Sequence, residues 1–303
     1  PGLASMVQGT PYRGHRHIGM PLAGAADPVS LALANWLAGN ASETPAIETA
    51  YAPLSFVAQK DLTIGIAGAG RETRINGKIA LDFESLQLKA GDKAEIGSAE
   101  HGCRSYIAVH GGFAANTLLD GNSTYAPAKA GGSANVPIAA GGYSNVNLVR
   151  PEMARARTLP LEYRLRFTDQ FILRITDAAE SRWLETPLEQ SFTVSRRVDR
   201  IGAELEGTAI ELKPHPAMQS SAVFPGSIQC PPSGNPFLLG PDAQTTGGYP
   251  RIAQVIRADR HLIGQLRPSA QVMLQRVKPA EAQSLYRSKL ELLRKLQPDM
   301  RLD

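Results

Sequence analysis

Cysteine is scarce in this sequence: Cys103 and Cys230 are the only two in 303 residues. They stand far apart in strand-like contexts, which argues against a disulfide framework or a zinc site and favours a reducing compartment. Long apolar runs are missing too. None approaches the length of a membrane span, and the N-terminal PGLASMVQGT lacks a charged region followed by an apolar block. A soluble, cytoplasmic chain without a membrane partner is expected. Basic charge is not concentrated either: 32 Lys and Arg are scattered among 28 Asp and Glu with no aromatic-and-basic stripe, so nucleic acid is not an expected partner.

Several catalytic signatures are also lacking. GIAGAGRET, from Gly65, has the glycines of a phosphate loop, but no Lys-Ser/Thr pair follows and the chain runs into a hairpin instead of a helix. No intrinsic ATP site is expected, and no lysine stands between two methionines as a biotin attachment point would require. A Gly-x-Ser-x-Gly elbow is missing, so His101 and His110, at strand-like spacing with Arg104 and Tyr106, do not read as parts of a Ser-His-Asp arrangement.

Glycine and proline are plentiful, 28 and 22 residues, and imply many turns and short strands. LTIGIAGA, RSYIAVHGG, GSIQCPP, PFLLG, RIAQVIRA and QVMLQRV read as strands, and Asn76-Gly77 in TRINGKIAL as a hairpin turn. Three helices are expected. One runs over DPVSLALANWLAGN, with Asp27 as N-cap and Gly39 as stop; a short one starts in TDAAESRWLE, where Asp177 and Glu180 have capping-box spacing; the last is PAEAQSLYRSKLELLRKLQPD, with two apolar faces. The pattern predicts a mainly β, two-domain chain built as barrels or sandwiches. The Pro- and Arg-rich stretch LVRPEMARARTLPLEYR puts a boundary near residue 155, dividing residues 1–155 from 156–303.

Two polar segments stand out. DAQTTGGYPR, Asp242 to Arg251, gathers two hydroxyls, two glycines, an aromatic, a carboxylate and an arginine. It reads either as a cradle for something polar or as a tight loop whose Thr245 and Thr246 hydroxyls satisfy neighbouring backbone groups. YRGHRHIGM places Arg13, His15, Arg16 and His17 around Gly14 and Gly19, a basic loop suited to an anion but without a third metal ligand. Asp199-Arg200 reads as a surface pair or a clamp.

Taken in order, MVQGTPYRGHRHIGMPLAGAADPVSLALANWLAGN, AIET, RSYIAVHGGF, VDRIGAELEG, PGSIQCPPSGNPFLLGPDAQTTGGYPRIAQVI and QLRPSAQVMLQRV resemble one family along nearly the whole chain. The family is that of the C subunit of bacterial 5-oxoprolinase, also called allophanate hydrolase subunit 2 and related to the carboxyltransferase region of urea carboxylase. The sequence departs from the family pattern at Gly9, where an Asp is usual, at Tyr12, where an Arg is usual and Arg13 stands one place on, at Asp120-Gly121 and at Ser221; Gln8 and Gly14 are kept. The resemblance implies two cyclophilin-like β-barrel domains and a hydrolase component, inactive alone. It would act with a homologue of the 5-oxoprolinase B subunit (allophanate hydrolase subunit 1-like), and with an A subunit, on a small amide or lactam, converting 5-oxo-L-proline to L-glutamate with ATP held in the complex.

Within that reading Asp242 is a candidate general base, and Gln244, Thr245 and Thr246 supply donors to a developing oxyanion. Gln8, Arg13, Gly247, Gly248, Tyr249 and Arg251 are candidate substrate contacts, with Arg13 or Arg251 facing a carboxylate. Two other readings follow from the same resemblance. One is a carboxyltransferase fed by biotin on a carrier protein; the other is a non-enzymatic regulatory binder of a kinase-inhibitor-like partner.

Overall fold

The computed structural model describes residues 5–133 and 153–302, so most of the glycine-rich stretch before the expected boundary lies outside the described residues. The chain divides into two compact units. The first takes in residues up to Tyr12, Ala23–Phe167 and Leu293–Arg301; the second takes in Arg13–Leu22, Thr168–Leu292 and Leu302. The main crossing thus falls between Phe167 and Thr168, downstream of residue 155, and the basic loop is a piece of the second unit.

In the first unit, strands β1 (Met6–Gln8), β2 (Ala46–Ala50), β4 (Leu62–Gly68), β7 (Leu86–Leu88) and β9 (Arg104–Val109) form a five-stranded sheet in the order β1-β2-β9-β4-β7. Strands β3 (Leu54–Val57), β5 (Thr73–Ile75), β6 (Lys78–Ile79) and β8 (Lys93–Ile96) form a second, four-stranded sheet. Val7, Leu62, Ile64, Leu88, Ala94, Val109 and Phe113 make a shared core. Helix α1 (Pro28–Ala38) packs on β4 and β9. It starts as the sequence predicts, with the Asp27 carboxylate accepting from Ser30 N at 2.9 Å, and stops at Gly39 with φ 77°. Val29, Leu31, Leu33 and Leu37 are buried, each contributing on the order of 2 kcal/mol. The glycines of GIAGAGRET serve this packing: a Cβ on Gly65 would collide with the backbone carbonyl of Ala34 on α1. Asn76 and Gly77, with φ 49° and 80°, turn the β5–β6 hairpin as expected.

The second unit is a closed seven-stranded barrel. Its strands are β10 (Gln170–Asp177), β11 (Ser191–Val198), β12 (Gly202–Glu206), β14 (Ser227–Gln229), β15 (Phe237–Leu239), β17 (Arg251–Val255) and β18 (Gln271–Arg276), in the order β10-β17-β14-β15-β12-β11-β18. The parallel β10–β18 pair closes it, with Gln170 opposite Gln271. Alternation along β10 sends Phe171, Leu173 and Ile175 inward, where Phe192, Val194, Leu205, Ile228, Leu238, Val272 and Leu274 are also buried. The mainly β class thus holds for both units, the barrel closing in the second. Outside it, β13 (Ser221–Ala222) and β16 (Thr246–Gly247) form a short two-stranded ribbon.

Helix α2 is one turn, Arg260–Ile263, and α3 spans Pro279–Leu296. Leu285 of α3 packs against Ile256, Ala258 and Val277, and Lys289 Nζ donates to Ala258 O at 2.9 Å, as the amphipathic pattern requires, although Leu292 is left exposed. The expected helix in TDAAESRWLE is instead a single 3-10 turn, Ser181–Trp183, without a side-chain cap. Ser181 Oγ accepts from Ala178 N, and Glu180 has been recruited elsewhere.

Candidate functional site

The ribbon carries most of DAQTTGGYPR. Ser221 pairs with Gly247 and Ala222 with Thr246, and the ladder continues as Val223 N donates to Thr245 O at 3.1 Å. Three arginines and a glutamine hold it in place. Arg251 grips Glu180 through Nε and Nη2, both at 2.9 Å, while its Nη1 donates to Ala222 O at 3.0 Å, so a barrel strand is tied to β13. The paired charges reinforce each other: hydrogen bonding from Arg251 holds the Glu180 carboxyl below its ordinary range, and Glu180 in turn raises the guanidinium. Arg200 grips Asp242 in the same bidentate way, at 2.8 Å to each oxygen. Asp199 is not its partner; that carboxylate caps its own turn by accepting from Ile201 N and Gly202 N.

A register shift between β14 and β17 sets Gln229 opposite Arg251, and the Gln229 amide lies directly under Gly247. A Cβ there would stand 2.7 Å from Gln229 Nε2, which itself donates to Tyr249 O at 3.2 Å. Neither glycine of the segment has a positive φ, and Gly247 is needed for close approach.

The third arginine comes from the basic loop. Arg16 Nη2 donates to Val223 O and reaches Gln244 O at 3.5 Å, and the guanidinium stacks 5.2 Å from the centroid of Phe224. The two segments singled out in the sequence thus meet inside the second unit. Burial lowers the Arg16 pKa, and no carboxylate pairs with it among the described residues.

Each candidate residue has a place in this frame. Asp242 is buried and both its oxygens are engaged by Arg200, so it stands as an anchor of the loop, where a general base had been expected. Arg251 is committed to Glu180 and Ala222, which occupies the fork that a substrate carboxylate would need. Gln244, Thr246, Gly248 and Tyr249 are exposed, and Thr245, Gly247 and Arg13 are half-buried. The side chains of Gln244, Thr245 and Thr246 make no hydrogen bond within the described residues, which removes the reading in which the threonine hydroxyls merely satisfy their own loop. Gln8 lies in the first unit on β1, fully buried, its Nε2 donating to Thr124 O at 3.0 Å and its Oε1 without a partner.

Below the ribbon Gly248, Tyr249 and Pro250 form one wall of a cavity of about 650 Å³. Glu185, Glu211, Met218, Cys230 and His215 also line it, the last stacked on Trp183 with ring centroids 4.7 Å apart. Burial pushes the Cys230 thiol up to about 11, which favours its neutral form. No Lys or Arg lines this cavity. Among the described residues no three His, Cys, Asp or Glu are grouped to hold a metal, and no helix is long and apolar enough to cross a membrane.

Residues 18–276 match the family described as carboxyltransferase domain, subdomain A and B. The chain belongs to that family. The C subunit of 5-oxoprolinase from Haemophilus influenzae is 31% identical over 282 residues, covering 90% of this chain and 88% of that protein. Its Escherichia coli counterpart, also a 5-oxoprolinase C subunit, is 28% identical, covering 88% and 86%. The solved Kluyveromyces lactis urea carboxylase superposes on 100% of this chain with a TM-score of 0.90 at 21% identity, a likeness of fold, and this chain spans 29% of that one. This carboxyltransferase-domain chain therefore has enzyme components as relatives, and its ribbon is where it exposes unspent donors.

The first unit holds a second polar centre that sequence reading did not assemble. The Glu48 carboxylate on β2 accepts from Tyr106 Oη at 2.7 Å and Ala26 N at 2.9 Å, and Arg104 Nε lies 3.3 Å from its other oxygen. Tyr106 Oη also accepts from Asp27 N at 2.8 Å. Burial, then the nearby Glu48 charge, raises the Tyr106 phenol well above its ordinary value. All four side chains are sealed from solvent, which makes this a structural node. Its one available signal was the co-occurrence of AIET with RSYIAV, two strands that pair in register at Glu48 and Tyr106.

Proposed function

We propose that this chain is the C subunit of an ATP-dependent lactam hydrolase of the 5-oxoprolinase type, acting with homologues of the A and B subunits to open 5-oxo-L-proline to L-glutamate. The observation that carries this reading is the ribbon: among the described residues the side chains of Gln244, Thr245 and Thr246 have no hydrogen-bond partner, on a backbone pinned by Arg16, Arg251 and Gln229. A lactam carbonyl is a weak electrophile, and attack on it puts negative charge on its oxygen. Donors already oriented and held stabilise that charge without having to reorganise. The threonine hydroxyls and the Gln244 amide are assigned that part, with Asp242, through Arg200, and Arg251, through Glu180, as positioning residues. ATP supplies the driving force when bound in the complex. The ribbon offers hydroxyls and one amide, a set suited to a carbonyl more than to a triphosphate, so the nucleotide is assigned to the partner subunits.

A second reading, transfer of a carboxyl group to an amide nitrogen from biotin on a separate carrier, draws on the family's carboxyltransferase description. One experiment separates them. The purified chain alone is expected to show no 5-oxo-L-proline-dependent ATP hydrolysis, and to support it when mixed with the two partner subunits. Equal rates with the chain alone would contradict the proposal, and a mixture that turns over only with a biotinylated carrier, and is blocked by avidin, would favour carboxyl transfer.

A further inference from the structure

We propose that the Arg16 end of the ribbon is a binding site for a small monoanionic carboxylate, held by Arg16 and Ser221. Two orphaned polar atoms lie there: Arg16 Nη1 and Ser221 Oγ are both buried and have no hydrogen-bond partner among the described residues. Ser221 opens the short strand β13, two residues before the Val223 carbonyl to which Arg16 Nη2 is bonded and which lies just past the strand's end. Buried donors without acceptors are uncommon in folded proteins, and each calls for an explanation. A guanidinium that is also without a counter-charge calls for a negative one. Both residues are only half-buried, so rotation of either side chain brings these atoms to the surface.

A carboxylate answers every demand at once. Its two oxygens give Nη1 and the serine hydroxyl an acceptor each, and its single charge matches the single unpaired guanidinium. Phe224, half exposed beside Arg16, supplies an apolar wall for a compact ligand body. The two ends of the segment sort charge between them. At the Tyr249 end, the cavity is lined by Glu185 and Glu211 with no Lys or Arg, so an anion is repelled there and drawn to Arg16. Sequence reading had assigned the carboxylate to Arg13 or Arg251; Arg251 is spent on Glu180, and Arg16 is the residue with an N–H to give.

The inference rests on the lactam-hydrolase reading for the body of the ligand, not for the carboxylate. Isothermal titration of the full chain, alone and in the reconstituted complex, with 5-oxo-L-proline, its primary amide and acetate tests the two separately. The acid is expected to bind at least about tenfold more tightly than the amide. Arg16→Gln abolishes that preference and, losing the bond to Val223 O, melts lower while remaining folded; Arg16→Lys keeps part of the preference, and Ser221→Ala weakens the acid by a few fold with a melting temperature near wild type. Arg16-dependent binding of acetate, with neither lactam binding, leaves the carboxylate site standing and removes the lactam reading. Lactams that bind with no acid-over-amide preference, a preference that survives Arg16→Gln, or no Arg16-dependent carboxylate binding at all would overturn the site.

Discussion

The N-terminal VQGTPY stretch of the first unit and the DAQTTGGYPR ribbon of the second are both rich in polar groups and use them in opposite ways. In the first, groups turn inward. Tyr12 is fully buried with its hydroxyl donating to Ser123 O, Gly131 leaves the room that hydroxyl needs, and Gly9 N donates to Ser123 Oγ. Asn122 Oδ1 fills the space that a side chain at Gly9 would take and accepts from Thr10 N at 2.6 Å. In the ribbon the charged residues Asp242, Glu180, Arg200 and Arg251 turn inward and the uncharged donors are left facing out. Gly9 and Tyr12, where the sequence resemblance led to the expectation of an Asp and an Arg, thus belong here to a self-contained packing arrangement. A motif that has closed on itself builds the fold, and one held rigid with donors to spare is equipped to meet a ligand.

The contrast can be broken or sharpened by substitution. The largest effect on stability is expected from Glu48→Ala in the sealed node of the first unit, which leaves Arg104 buried without its carboxylate and costs about 4 kcal/mol. Urea unfolding measures it, and a loss under about 1 kcal/mol would mean that the node is solvated. Asp242→Ala uncovers Arg200 in the second unit and is expected to cost about 3 kcal/mol in the same assay. A smaller cost there than for an exposed pair would return Asp242 to candidacy as a base.

A third effect is smaller and depends on pH. Arg251 holds the Glu180 carboxyl lower in the folded than in the unfolded chain. Its contribution is therefore complete above the unfolded value of about 4.3 and is lost as pH falls through the lower folded value. Melting temperatures followed from about pH 6 down to about pH 3 should fall more steeply for wild type than for Arg251→Gln. Parallel curves would detach the pair from ribbon stability. A smaller change is expected from Tyr12→Phe, about 1 kcal/mol for the hydrogen bond lost to Ser123 O.

Local chemistry was legible in the sequence wherever neighbours along the chain decide the outcome. Asp27-Pro28 and Gly39 bound a helix because the cap and the stop act within one turn, and Asn76-Gly77 turns a hairpin by its own backbone preferences. Glu180 misleads for the opposite reason: its capping-box spacing is real, but Arg251, 71 residues on, offers it two charged hydrogen bonds that a helix terminus cannot match. Gly247, a candidate substrate contact by sequence, is a gap for Gln229, a demand set by a strand remote in sequence. The segment DAQTTGGYPR was legible as a candidate site. Which of its charges were already spent was not, since Arg200, Glu180 and Arg16 reach it from three other parts of the chain.

On the proposed function the ribbon, and not the N-terminal motif, presents groups to the reaction. The most direct test is 5-oxo-L-proline-dependent ATP hydrolysis by the reconstituted complex containing Thr246→Val or Tyr12→Phe, with a melting curve for each. Thr246 is exposed and its side chain makes no hydrogen bond among the described residues, so its replacement should leave stability within about 0.5 kcal/mol while turnover falls by about two orders of magnitude. Tyr12→Phe should lower the melting temperature and keep turnover near wild type. Full activity in a well-folded Thr246→Val complex, with turnover lost in Tyr12→Phe, would contradict the account.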